Sequence, residues 1–356
     1  MCSGPVSGLL FGIWNFGVWD FWPMSSDVFG ALPGMTVPVG EITESLARLW
    51  EASPADGADG QPETPAEFRA SQMNLVLHLG LPTEPGDALV QLAAALRFTQ
   101  RYPARILVLC PRAEGGTDLA MRAKIYSECF IGKSRHERSC IEAVMLSYPQ
   151  ERREFLEDQV SIIVEPDLPI YYWVHRMSQV NKIATYEWLL RNSRRFLFDS
   201  AVSTPEARTH EWPRPDGFRD LVHARLLPVR QSIGQFLSAD PPEAIARGLE
   251  AVTVACRPDY AAEARVLLAW MRVRLEACGA TGPGTPNYRT KAVPTGATSS
   301  LEITFTCADG RYFFWRADFA SGNAYFETTL GGRRRALPMT TGLLATEAAL
   351  GEAIFF

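Results

Sequence analysis

Two short runs, IYYWV at 170–174 and FLF at 196–198, are apolar with almost no polar alternation. That pattern predicts strands covered on both faces, as in a parallel sheet. Between them Ile183, Tyr186, Leu189 and Leu190 recur at helical spacing, so residues 160–200 read as a strand–helix–strand unit. A right-handed crossover makes its strands parallel. In such sheets ligands or partners meet the loops after the strands' carboxyl ends, which directs attention to 174–178 and 199–203.

The same reading extends along the chain. A helix face recurs through Ile42, Leu46, Leu49 and Trp50, and an Ala/Pro/Gly-rich acidic stretch follows at 52–66. RASQMNLVLHLG, ALVQLAAALRFTQRYP and ARILVLCP then give strand, helix and strand, the helix ended by Pro103. Apolar stretches at 119–130 and 140–146 flank the basic GKSRHERS, the pattern of a hairpin or of two strands joined by an exposed loop. ERREFLEDQVSIIV reads as a helix leading into the central unit. Helical patterns follow at 217–226, 229–237 and 242–249, then a strand at 251–256 and a long amphipathic helix at 260–277. Residues 279–300 have linker composition, LEITFTC, RYFFWRADF and NAYFETTL form a turn-separated meander, and LLATEAALGEAI closes with a helix.

The expected class is α/β: a layered, mostly parallel or mixed sheet flanked by helices, followed by a helical segment and a small C-terminal antiparallel β meander. The expected division is a Trp-rich N-terminal extension at 1–34, helix and linker at 35–66, an α/β domain at 67–203, and a C-terminal α+β domain at 204–356 with its linker at 279–300. The extension holds GLLFGIWNFGVWDFWPM, too short and Gly-broken to span a bilayer comfortably and without the flanks of a signal peptide. It reads as a docking tail, a surface anchor, or sequence upstream of the true start at Met35.

Charge narrows the partners. With 35 basic and 40 acidic residues the net charge is −5, so no broad field draws nucleic acid or anionic lipid. Arg333, Arg334 and Arg335 are a local exception. The seven cysteines include no CxxC, and the simplest setting is the reducing cytoplasm.

Motif tests yield no catalytic, cofactor or metal residues. Ile131-Gly132-Lys133-Ser134 has the end of a phosphate loop, but Ser127 stands where its first Gly belongs. His136-Glu137 begins a zinc motif whose second His is replaced by Cys140, and the spacing of Cys129, His136, Cys140 and Glu142 fits no common zinc site. Cys129 and Cys140 are a candidate redox pair across adjacent strands, with a reduced core pair as the plainer reading. His175 and Asp199 follow the two central strands, where a base or a hydroxyl-binding acid could stand, or where each could be structural.

An ordered series of motifs resembles the glucose-6-phosphate dehydrogenase assembly proteins (the OpcA family): VPVGEI; RASQMNLVLHL with Arg69 and Asn74; RYPARILVLCPR; Cys129 with Cys140-Ile-Glu142; PDLPIYYW; RRFLFDS; and DLVHARLLPVRQSIGQF. The series covers most of the chain from Met35. Ile141 departs from an expected second Cys, and Tyr172-Trp173 from paired tryptophans. The resemblance implies a non-catalytic partner of glucose-6-phosphate dehydrogenase that favours the enzyme's active oligomer, without cofactor, nucleic acid or membrane. Its motif or partner-binding residues would be Pro169, Trp173, Asp199, Ser200, Arg225 and Arg230. The alternative is an α/β enzyme or sugar-phosphate-binding protein using the loops after Val174 and Phe198, with His175 and Asp199 as its polar groups.

Overall fold

The computed structural model describes residues 27–51, 71–131, 138–280 and 285–356. The Trp-rich run, the 52–66 stretch and the GKS and His136 motifs lie outside them.

The chain opens with α1 (Val28–Ala31), β1 (Met35–Val37) and α2 (Ile42–Glu51). Phe29 and Leu32 are buried, and Lys124 Nζ donates to the carbonyls of Phe29 and Gly30, so the packed chain includes residues before Met35. β2 (Met73–Leu79) follows, then α3 (Pro85–Arg101) and β3 (Ala104–Arg112). The expected hairpin is β4 (Arg122–Ile131) and β5 (Arg138–Pro149), and α4 (Glu154–Ile163) leads to β6 (Ile170–His175). The crossover to β7 (Ser193–Phe198) is two short helices, α5 (Val180–Ala184) and α6 (Glu187–Asn192), in place of the single helix expected.

These strands and β8 (Phe218–Asp220) form an eight-stranded sheet in the order β1-β4-β5-β3-β2-β6-β7-β8. Only β4 runs against its neighbours. β2 and β6 are buried along their whole length, as the unalternating runs predict. Alternate residues supply two cores: Leu75, Leu77 and Trp173 face α3 on one side, while Val76, Tyr172 and Val174 face α4 and α6 on the other.

β8 and α7 (Leu221–Arg225) occupy the stretch expected as one helix at 217–226. The chain continues through α8 (Leu227–Leu237), α9 (Pro242–Ala246), β9 (Leu249–Cys256), α10 (Ala261–Ala277), β10 (Asn287–Ala292), β11 (Leu301–Cys307), β12 (Tyr312–Asp318), β13 (Asn323–Thr328), β14 (Arg335–Thr340) and α11 (Thr346–Phe355). The second sheet is ordered β10-β9-β11-β12-β13-β14. It extends the expected meander at both ends, and β10, parallel to β9, lies in the stretch read as linker.

α7 joins the layers. Leu221 and Ala224 belong to a core of the first sheet, whereas Val222 belongs to the core of the second. α11 returns across the molecule, burying Leu350 and Ile354 against the first sheet. Full burial of each such side chain contributes about 1.5–3 kcal/mol. Among the described residues, no helix is long and apolar enough to cross a membrane.

Candidate functional site

The strand order around β2 places a topological switch at the carboxyl ends of β2 and β6: β3 lies on one side of β2 and β6 on the other. Doubly wound sheets hold ligands at such a point, with anions at the N-terminus of the following helix. Here that helix is α3, and its first turn carries Asp87. The carboxylate accepts hydrogen bonds from His175 Nε2 at 2.7 Å, from Arg176 Nε and from Gln91 Nε2 at 2.9 Å. Burial would raise the Asp87 pKa, but these donors hold it below the ordinary carboxylate range. An acid of the chain's own thus occupies the place where a phosphate would gain from the helix dipole.

The backbone closes the same point. Gly80 N donates to the His175 carbonyl at 2.7 Å, bringing the loop after β2 against the loop after β6. A Cβ on Gly80 would stand 2.1 Å from the Arg176 carbonyl oxygen. Arg176 has φ +52°, the one non-glycine residue with positive φ among those described; such a conformation persists where surrounding contacts over-determine it. The cleft beside these loops, lined by Leu81, Pro82, Met177 and Lys182 among others, has a volume of about 250 Å³, below the usual range of small-molecule pockets. Gly80→Ala should therefore destabilise the fold by about 3 kcal/mol. Gly86→Ala, in α3 with nothing within 4 Å of the added methyl, should be neutral or slightly stabilising. Urea midpoints of the two variants check the contrast; equal midpoints would show that the contact at Gly80 relaxes freely.

The second central loop is also engaged. Asp199 Oδ1 accepts from Arg225 Nη2 at 2.6 Å and from Ala201 N at 2.9 Å. Arg225 Nε lies 3.2 Å from Glu263 Oε1 on α10, so one guanidinium stands between a carboxylate of the first layer and one of the second. Burial raises the Glu263 pKa, Arg225 opposes that rise, and Asp199 and Asp220 add to it. Ser200 Oγ donates to Asp220 Oδ2 at 2.7 Å, and Asp220 caps α7 by accepting from Val222 N at 3.0 Å. His175 and Asp199, read as polar groups for a ligand, are thus each bound within the protein.

The other expected site residues are placed as follows. The Pro169 carbonyl accepts from Asn74 N at 2.9 Å, and the buried Asn74 side chain ties down the same loop through Glu165 and Leu168. Trp173 is 1% exposed, so it serves the core and cannot form a contact surface in this conformation. Arg230, mostly buried, donates from Nη2 to the His223 carbonyl at 3.2 Å. Cys129 and Cys140 stand opposite each other in the β4–β5 register. Cys140 is disulfide-bonded, which corrects the reduced reading; the Cys129 side chain lies outside the described residues. Among those residues, no three His, Cys, Asp or Glu side chains converge as metal ligands.

Sequence reading missed Gly80, Asp87, Arg176 and Glu263. Asp87 and His175 are 88 residues apart, and no local pattern joins them. Gly80 alone had a local sign, a glycine closing a buried strand.

Residues 95–212 match the family model described as glucose-6-phosphate dehydrogenase subunit N-terminal domain. The match runs from within α3 to beyond β7, taking in Pro169, Trp173, Asp199 and Ser200 and stopping before Arg225 and Arg230. No curated protein matches the chain.

Proposed function

From the membership of residues 95–212 in the glucose-6-phosphate dehydrogenase assembly (OpcA) family, we propose that the protein is a non-catalytic, cytoplasmic partner of glucose-6-phosphate dehydrogenase. It binds the enzyme and favours its active oligomer in the oxidative pentose phosphate pathway. The observation that carries this reading beyond the family match is the closed switch point. Asp87 fills the anion position, Gly80 packs against Arg176, and the competing enzyme reading finds both its polar groups engaged by the chain itself.

No chemistry is required of such a partner. A protein that binds only the active oligomer shifts its population by mass action, by about 2.7 kcal/mol when the binder is present at a hundredfold its Kd. A disulfide fits a cytoplasmic setting where it serves redox sensing, and the bond at Cys140 is a candidate for that role.

The test combines size-exclusion chromatography of the purified chain with the dehydrogenase from the same organism and an activity titration. The expected result is co-elution, a larger share of the enzyme's oligomer, and a change in KM or maximal rate that saturates with added partner. Independent elution together with unchanged kinetics would remove the proposal.

A further inference from the structure

The second sheet builds its core on one face. Phe236 of α8 stacks on Phe326 with 4.6 Å between ring centroids, and Leu267 and Met271 of α10 join Val252, Val254 and Trp315 in the same core. The strand pairings fix what stands on the opposite face. One row across the sheet runs Lys291, Ala255, Glu302, Arg316, Tyr325, Pro338. The next row begins at Arg289 and carries Thr304, Phe314, Glu327 and Ala336.

An antiparallel sheet with one solvated face shows polar residues at such outward positions. β10 and β11 obey, with Arg289, Lys291, Glu302, Thr304 and Thr306. The strands from β12 to β14 do not. Tyr312, Phe314 and Tyr325 are half-buried, Ala336 and Pro338 are exposed, and none of the five belongs to a hydrophobic core of the described residues. A contiguous outward patch of this kind marks an interaction surface.

Its side chains are already fixed. The Tyr325 hydroxyl donates to Glu327 Oε2 at 2.8 Å, the Tyr312 hydroxyl donates to Oε1 of the same carboxylate, and Arg334 Nε donates to Oε1 at 2.9 Å. One carboxylate thus holds both tyrosine rings, which lowers the entropy lost when a partner covers them. Arg316 lies over the Tyr325 ring, 5.7 Å from its centroid. Among the described residues Arg289, Lys291 and Arg316 form no ion pair. Glu302, the acid between Lys291 and Arg316 in its row, accepts from Ser299 Oγ at 2.6 Å. An aromatic centre is therefore bordered by cations that lack carboxylate partners, on a chain whose net charge is −5.

We infer that this outer face, centred on Phe314 and Tyr325, is a docking surface for a protein whose contact patch is apolar with an acidic margin. Tyr and Arg side chains carry much of the binding energy of such interfaces, and a cationic border selects an acidic one. The partner's identity rests on the reading above: it is glucose-6-phosphate dehydrogenase. The contact then lies outside the family-matched residues 95–212, where Trp173 is core.

Kd values for the dehydrogenase from the same organism, measured by biolayer interferometry on the full chain and its variants, test this. Phe314→Thr removes the central ring from a face outside the core and should weaken binding about thirtyfold. Arg316→Gln and Lys291→Gln alter exposed side chains, so the double variant should keep a urea midpoint close to the parent's. It should weaken binding about tenfold, chiefly through slower association, and flatten the salt dependence. Parental Kd values in both variants would overturn the docking surface and leave the dehydrogenase reading standing. A parent that does not bind the enzyme would remove both. Dimerisation of the chain alone, or retention of a single-stranded oligonucleotide, abolished by Arg316→Gln while the dehydrogenase Kd stays parental, would give the face to another occupant and equally overturn the assignment.

Discussion

Replacing Arg225 by methionine should lower the stability of the protein by about 3–5 kcal/mol, the usual cost of removing one partner from a buried ion pair. Asp199 and Glu263 have side chains only 11% and 6% exposed, and the substitution leaves both carboxylates without their cation. The loss is expected to fall on the junction, since Arg225 links the end of β7 to α10. Urea unfolding should then show separate transitions for the two layers where the parent shows one. Adding Asp199→Asn and Glu263→Gln to Arg225→Met should recover most of the loss, because neutral amides remove the uncompensated charges. pH supplies a second check. Glu263 has a raised pKa in the fold, chiefly from burial. The neutral acid is therefore favoured: its contribution is fully present below the ordinary glutamate value and is lost as pH rises through the folded value. The cost of Arg225→Met should accordingly be smallest in acid. A loss below about 1 kcal/mol with a single transition would show that the Arg225 contacts do not hold the layers together.

How much of this was legible in the sequence depends on where the determining contacts lie. β2 and β6 could be read directly, because a parallel strand covered on both faces needs an unbroken apolar run. β10 could not: NYRTKA is polar and mostly exposed, and its pairing with β9 is visible only once the sheet exists. The split between α5 and α6 has a similar origin. Tyr186, read as part of one helical stripe, lies at the break with φ −95° and ψ 54° and reaches the Tyr148 hydroxyl at 2.6 Å. A distant tyrosine thus accompanies a local departure from helix. The site was legible only as a location. The loops after β6 and β7 could be located from the strand pattern, but Asp87 engages the first and Arg225 the second from elsewhere in the chain. Trp173 marks the limit of residue-type reasoning: tryptophan is enriched at interfaces, yet on a strand covered on both faces it is core.

Acid should destabilise the protein mainly through His78. This histidine lies on β2 just beneath the switch point, 0% exposed, with Nδ1 hydrogen-bonded to the Tyr172 hydroxyl at 2.6 Å and Nε2 to the Tyr148 hydroxyl at 2.8 Å. One nitrogen donates and the other accepts, so the neutral ring is fully satisfied, while its cation would be buried with no acid among these partners. Burial pushes its pKa from 6.5 down to about 3. A histidine depressed in the folded state contributes stability above its unfolded value, lost progressively as pH falls from about 6.5 towards 3. A shift of that size corresponds to an upper bound on the order of 4–5 kcal/mol. His78→Gln keeps a donor and an acceptor at the same place but cannot take up a proton. The variant should lose a few kcal/mol at neutral pH from imperfect packing, and its stability should then fall less steeply than the parent's from pH 7 to pH 4. Urea unfolding at half-unit steps measures both curves. Acid loss from Asp87, whose lowered pKa acts in the same direction, is common to both proteins, so the difference in slope isolates His78. Parallel curves would mean that the ring is already charged or solvated in the fold. A steeper parent curve would establish a neutral, hydrogen-bonded cluster directly beneath the loops that Asp87 and Gly80 close, adding a third element to the closure of the switch point.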